Sequence, residues 1–283
     1  MLRDVFSIFG MNGDLPSLDL AVVTHGTEGI ERVARMVLPP IDGVNYVVSW
    51  QNHQDAPVPA SLNRSDVRIY RLTERGISRN RNNAMANCHS DIVLFADDDI
   101  VYNKESLRQV REVFLQHSEM DLATFRSEHG DMSRFPAVET RLRQKLPTGY
   151  YVASIEICFR RNPHLRCCPE LGLASEILHG GEDEMFLLSA IKRGLDCRFF
   201  PITICAHPHE STGTKARMTP GNLMASGCVI ALSYPWSAWL RVPLKAWRIW
   251  RKGQAGFAAA FGNIIRGAMM ARGVKRRNRD SLW

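Results

Sequence analysis

The sequence predicts an α/β fold with a mostly parallel central sheet and helices on both faces. Three observations lead there. Apolar, β-branched runs alternate with stretches of helical periodicity through the first 125 residues. The strand candidates are continuous apolar runs, as expected of strands buried on both faces. Polar loops follow them at residues 24–28, 50–51 and 97–99, where open parallel sheets bind ligands, beyond the strands' carboxyl ends.

Residues 18–24 form the first strand and 25–29 its loop. Ile30, Val33, Ala34, Val37 and Leu38 make a helical stripe that Pro39-Pro40 stops. Residues 45–50 and 67–72 are the second and third strands. Residues 78–88 suit a helix with Ser78 as its N-cap. A very apolar fourth strand, 91–96, runs into Asp97-Asp98-Asp99. A helix over 106–116 and a short strand over 121–125 follow. Residues 150–159 read as a strand ending at Arg160-Arg161. Gly180-Gly181-Glu182-Asp183 precedes a helix over 184–193, with Gly194 as its C′ residue. The last strand, 197–206, runs into His207-Pro208-His209-Glu210.

The chain has 283 residues, 45% of them hydrophobic and 23% charged. That composition supports a sizeable core and excludes disordered, collagen-like and low-complexity classes. The length suits one large domain, 1–215, with an appendage, 216–283. The net charge of +7 is uneven: from Arg241 onward there are 11 Lys/Arg and one Asp/Glu, so the tail is +10 and the remainder −3. A basic appendage on a nearly neutral body is not a uniformly basic nucleic-acid binder. The seven cysteines contain no C-x-x-C pair, which argues against a zinc cluster or a thioredoxin-like motif. Several sit in apolar runs as small buried hydrophobes, reduced in a cytoplasmic compartment. Near the N-terminus, Arg3, Asp4 and Asp14 flank an apolar stretch too short for a signal peptide.

Four motifs carry chemistry. Three adjacent carboxylates, Asp97, Asp98 and Asp99, repel one another without a cation. Magnesium or manganese bridging a diphosphate takes one or two such carboxylates; the alternative is an acidic loop capping the next helix. Residues 76–83 place Arg79 and Arg81 at a helix start, which suits phosphate oxygens or simply a polar helix face. Glu182 and Asp183 complement a helix dipole or supply a general base behind a Gly-Gly turn; the helix end would lower the pKa of Asp183 and keep it ionised. His207 and His209 alternate on an extended segment, so one ring is a candidate metal ligand and the other points away.

A first strand ending near Thr24, the Gly76-Ile77-Ser78-Arg79-Asn80-Arg81-Asn82 stretch, Asp97-Asp98-Asp99, Gly181-Glu182-Asp183 and a late His together resemble the family 2 glycosyltransferases, over about residues 18–213. The resemblance implies the GT-A (Rossmann-like) fold and an inverting single displacement from a nucleotide-diphosphate sugar, a UDP-sugar, to a hydroxyl. It implies Thr24, Glu28, Gln51, Arg81, Asp97 and Asp98 on the donor. Asp99, with His207 or His209, would hold a divalent metal, Mn2+ or Mg2+. Asp183 becomes the catalytic base, with Gly181 and Glu182 on the acceptor side. Many relatives carry an Asp at the end of the second strand, where this chain has Ser49-Trp50-Gln51, which leaves a donor with a base other than uracil as the alternative.

Residues 218–240 are uncharged but interrupted by Pro, Gly, Asn and Ser, a poor transmembrane candidate. Beyond them Trp239, Val242, Ala246, Trp247 and Trp250 share one helical face and Arg241, Lys245, Arg248 and Lys252 another. Phe257, Ala260, Phe261, Ile264, Ile265, Ala268 and Met269 continue with a helical stripe. Basic charge plus Trp on amphipathic helices marks an anionic membrane interface; the alternative is a helical pair packed on the body. The membrane reading places the protein at the cytoplasmic face, with a glycan or lipid-linked glycan acceptor in surface polysaccharide biosynthesis. Two other readings compete: a catalytically silent nucleotide- or glycan-binding protein, and an RNA binder, for which the tail lacks a stacking platform.

Overall fold

The computed structural model describes residues 14–128, 131–206 and 218–282. His207 and His209, and with them the late-His expectation, lie outside the described residues. In chain order the elements are β1 (Leu18–His25), α1 (Gly26–Met36), β2 (Val44–Gln51), β3 (Val67–Leu72), α2 (Ile77–Ala86), β4 (Ile92–Asp97), α3 (Lys104–Gln116) and β5 (Leu122–Glu128). They continue with β6 (Thr140–Arg141), β7 (Ile157–Arg160), α4 (Glu182–Lys192), β8 (Cys197–Ala206), α5 (Pro220–Ser233), α6 (Ala238–Arg251) and α7 (Phe257–Arg277).

The eight strands form one sheet in the order β3-β2-β1-β4-β7-β5-β8-β6. The pairs β1–β2, β2–β3, β1–β4 and β5–β8 are parallel; β7 is antiparallel to both β4 and β5, and β6 to β8. The chain builds outward from β1 to β3, then returns to place β4 on β1's other side. The strand order reverses there, and open α/β sheets bind ligands at such reversals. Apolar side chains fill both faces of the sheet: Leu20, Val22, Val48 and Leu94 on one, Ala21, Val47, Phe95 and Phe159 on the other. All seven cysteines are free and buried, and burial pushes thiols such as Cys158 well up, so they act as core residues.

Several expectations shift. Helix α1 begins at Gly26, directly after β1, because Trp50 Nε1 donates to the Gly26 carbonyl at 2.8 Å and fixes the turn. Ser78 is not a cap: the N-cap of α2 is Gly76, and the Ser78 hydroxyl donates to the Leu171 carbonyl at 2.6 Å. Only Ile157–Arg160 of the expected strand over 150–159 pairs in the sheet. Glu156 just before it is fully buried and ion-paired with Arg134, which breaks the apolar run into a turn.

The tail divides differently from its predicted faces. On α6, Val242, Ala246 and Ile249 are buried, while Trp239, Trp247 and Trp250 are exposed. On α7, Ala260 and Ile264 are buried against Leu223, Val242 and Ala246, with Phe261, Ile265 and Ala268 partly buried beside them, while Phe257 and Met269 at the ends of the stripe are exposed. Glycines let α5 and α7 approach closely: a Cβ on Gly227 would overlap the Ile264 carbonyl, and one on Gly267 the Met224 carbonyl. The other side of α5 packs on the body, through Ala225, Cys228, Val229 and Leu232 against Leu171, Leu178 and Met185.

Candidate active site

Strands β1 and β4 run side by side with Val23 opposite Asp97. This register brings Thr24 and the acidic triplet to one edge. Helix α2 carries Arg81 under that edge, its side chain buried. The guanidinium is a hub. Nη1 donates to Asp183 Oδ1 at 2.8 Å and lies 3.5 Å from Glu182 Oε1. Nη2 donates to Ser154 Oγ at 2.6 Å and lies 3.5 Å from Asp97 Oδ1. The acidic triplet and the carboxylate after the twin glycines, 86 positions apart in the chain, therefore meet on one arginine.

Asp183 sits in the first turn of α4. The preceding Gly181 is its N-cap at φ +79, a left-handed conformation that favours glycine. Asp183 Oδ2 also accepts the Ser154 backbone N–H at 3.0 Å. The expected lowering of its pKa is not what the structure gives. Burial pushes the Asp183 carboxyl up to about 6, against the pull of Arg81, with Glu182 adding to the rise. The helix end and the arginine are outweighed by loss of water. Burial also raises Asp97, again against Arg81.

The triplet has divided roles. Asp98 is buried, accepting from Thr24 Oγ1 at 2.6 Å and from Arg32 Nε and Nη2 at 2.9 and 3.0 Å. Thr24 thus spends its hydroxyl on Asp98. Asp97 and Asp99 are partly exposed. Asp97 Oδ1 is buried and accepts no hydrogen bond. Among the described residues no three His, Cys, Asp or Glu side chains converge as a metal cage. Mg2+ and Mn2+ need less from the protein when diphosphate oxygens complete the shell, and the carboxylate oxygens of Asp97, whose Oδ1 accepts no hydrogen bond and has only the 3.5 Å ion pair with Arg81, together with those of Asp99 fit that hard-oxygen requirement.

Gln51 is buried at the end of β2, its Nε2 donating to the Glu74 and Gly76 carbonyls at 2.6 and 3.2 Å. It ties β2 to the start of α2. Glu28 is exposed in the first turn of α1. Asn80 Nδ2 donates to the Thr24 carbonyl at 3.1 Å, and Asn82 exchanges two hydrogen bonds with the backbone of Cys167. These bonds explain why the polar face of α2 is buried. Sequence reasoning missed Arg32 and Ser154. Arg32 lies one helical turn after Gly29 on α1, a spacing with no signal of its own, and Ser154 lies in irregular chain.

Residues 51–163 match the family model described as glycosyl transferase family 2. No curated protein sequence matches the chain. Among solved structures, S. aureus TarS 1-349 superposes with a TM-score of 0.56 at 15% identity, over 94% of this chain and 92% of that one. The same protein in complex with UDP gives 0.56 at 14% identity, over 94% and 92% of the two chains. Its complex with UDP-GlcNAc gives 0.54 at 14%, over 94% and 93%. These likenesses show that the chain shares the fold of that structure.

Proposed function

We propose that this chain is a family 2 glycosyltransferase with the GT-A fold, and that it moves a sugar from a UDP-sugar to a hydroxyl of a glycan or lipid-linked glycan; the family model matched by residues 51–163 supports the reading. The single observation that carries the reading is the Arg81 hub, with Asp183 at 2.8 Å and Asp97 at 3.5 Å on one guanidinium. It sets a raised-pKa carboxylate beside the acidic strand end at the sheet's ligand edge. The complexes of the TarS structure with UDP and UDP-GlcNAc favour uridine in the donor.

In this reading Asp183 accepts the proton of the attacking acceptor hydroxyl as the glycosidic bond forms. Arg81 and the Ser154 N–H orient that carboxylate. Glu182 and Gly181 line the acceptor side. Glu28, Gln51 and Arg81 lie towards the nucleotide. A divalent cation, held by Asp97 and Asp99, would neutralise charge on the departing diphosphate. Inversion at the anomeric carbon follows from a single displacement.

Residues 1–215 then form the transferase domain and 216–283 an extension that meets an anionic membrane from the cytoplasmic side. No helix among the described residues is long and apolar enough to cross a membrane. What supports surface contact is the α6 region, where Trp236 and Trp239 are 93% and 70% exposed amid Arg241, Arg248 and Arg251. The test of the transfer reading is incubation of the purified chain with UDP-sugars and manganese. Sugar transfer or slow donor hydrolysis, lost in Asp183→Asn, is expected; UDP binding with neither reaction would favour a silent nucleotide-binding protein.

A further inference from the structure

We propose that Thr24, Gly29 and Arg32 form a clamp on Asp98, which makes Asp98 a positioning residue rather than a donor contact. This deepens the transferase reading and rests on it. The middle carboxylate of the triplet is buried and has three donors: Thr24 Oγ1 at 2.6 Å, Arg32 Nη2 at 3.0 Å and Arg32 Nε at 2.9 Å. A carboxylate offers about four lone-pair directions, so Asp98 is nearly spent before any ligand arrives. The fork of Arg32 also sets one positive charge against the middle of three adjacent negative ones.

Gly29 shows that the clamp needs room. Its φ is not in the left-handed region, and it lies inside α1, where alanine is the better helix former. A Cβ there would overlap Thr24 Oγ1 and sit 3.0 Å from Asp98 Oδ2. Turning the hydroxyl away to make room would break its bond to Asp98. The space above Gly29, not its backbone freedom, is what the residue provides.

The clamp ties three elements: the end of β1 through Thr24, helix α1 through Arg32, and the turn after β4 through Asp98. Asp97 and Asp99 flank the clamped residue and inherit its fixed placement. Arg32 and Gly29 thereby act through Asp98 on the carboxylates proposed to hold the cation.

The test uses the full chain, UDP as probe and MnCl2, read by titration calorimetry, with melting temperature as a control for folding. Gly29→Ala and Arg32→Gln should each raise the manganese concentration needed for half-maximal UDP binding by about tenfold, the usual cost of losing an outer-shell partner. The double variant should cost no more than either single one, because both break the same unit. Arg32→Lys should recover only part of the loss, since it keeps the charge without the fork. Manganese dependence within twofold of wild type in both single variants, at unchanged melting temperature, overturns the clamp. So does a double variant whose effects multiply. A wild-type chain that binds no UDP at any manganese concentration would sink the transferase reading itself, which separates the two failures.

Discussion

The Arg81 guanidinium donates to Asp183 at 2.8 Å through one nitrogen while its other nitrogen lies 3.5 Å from Asp97. This arginine is buried, so its charge is matched by carboxylates rather than by water. The pairing explains how two acidic groups whose pKa values are raised share one guanidinium: each repels the other, and the arginine between them holds both.

Replacing Asp183 with Asn removes the proposed base but keeps shape and one acceptor oxygen for Arg81. Turnover should fall by about 10²–10⁴-fold, the range for losing a positioned general base. UDP affinity should change little. Steady-state rates beside calorimetric affinity check this, and equal losses in both would contradict the assignment.

Arg81→Ala should be far worse for the fold. It leaves Asp97, Glu182 and Asp183 without their cation, and stripping one partner from a buried pair costs about 3–5 kcal/mol. Arg81→Lys keeps charge but loses the fork and should fall in between. Urea unfolding monitored by circular dichroism reads the order.

The pH profile follows from the raised Asp183 carboxyl. A base must be deprotonated, so activity should be full above its pKa and decline as pH falls through about 6. For stability the sign is opposite: a carboxyl whose folded pKa exceeds its unfolded one favours folding when protonated, so this group's penalty grows as pH rises. A pH–rate profile of kcat/KM with its acid limb near pH 4 would argue for a base held by the helix dipole instead.

Gly181→Ala tests how the tail reaches the site. Gly181 has φ +79, and an added Cβ would meet Val229 Cγ2 of α5 at 2.6 Å. Overpacking and backbone strain together should cost about 1–3 kcal/mol and displace Asp183. The expected result is a lower melting temperature with a drop in kcat; Gly194→Ala, with nothing near its added Cβ, should cost stability alone.

The exposed tryptophans give a separate measurement. Trp236→Ser with Trp239→Ser should weaken binding to vesicles containing anionic lipid and leave soluble-acceptor turnover unchanged. Raising salt should weaken wild-type binding as well, since charge contributes to it. Flotation that is indifferent to both changes would favour a partner protein on this face.

Much of the fold was legible because its causes are local. Apolar β-branched runs specified β1 to β4 and β8 to within a few residues, and proline and glycine marked the ends of α1 and α4. The acidic triplet and Asp183 stood out as carboxylates placed directly after a strand and at a helix start. Sequence did not determine how the charges pair. Ser78 looked like a cap and instead bonds Leu171, across 93 positions of chain. The tail's stripe looked the same whether it met lipid or core, and only packing showed Ile264 and Val242 inside with Trp239 outside. The pKa of Asp183 went the other way from its helix position because burial depends on every element around it. Periodicity and turn chemistry act over a few residues and can be read along the chain. Desolvation and ion pairing act through space, between groups that only the folded sheet brings together.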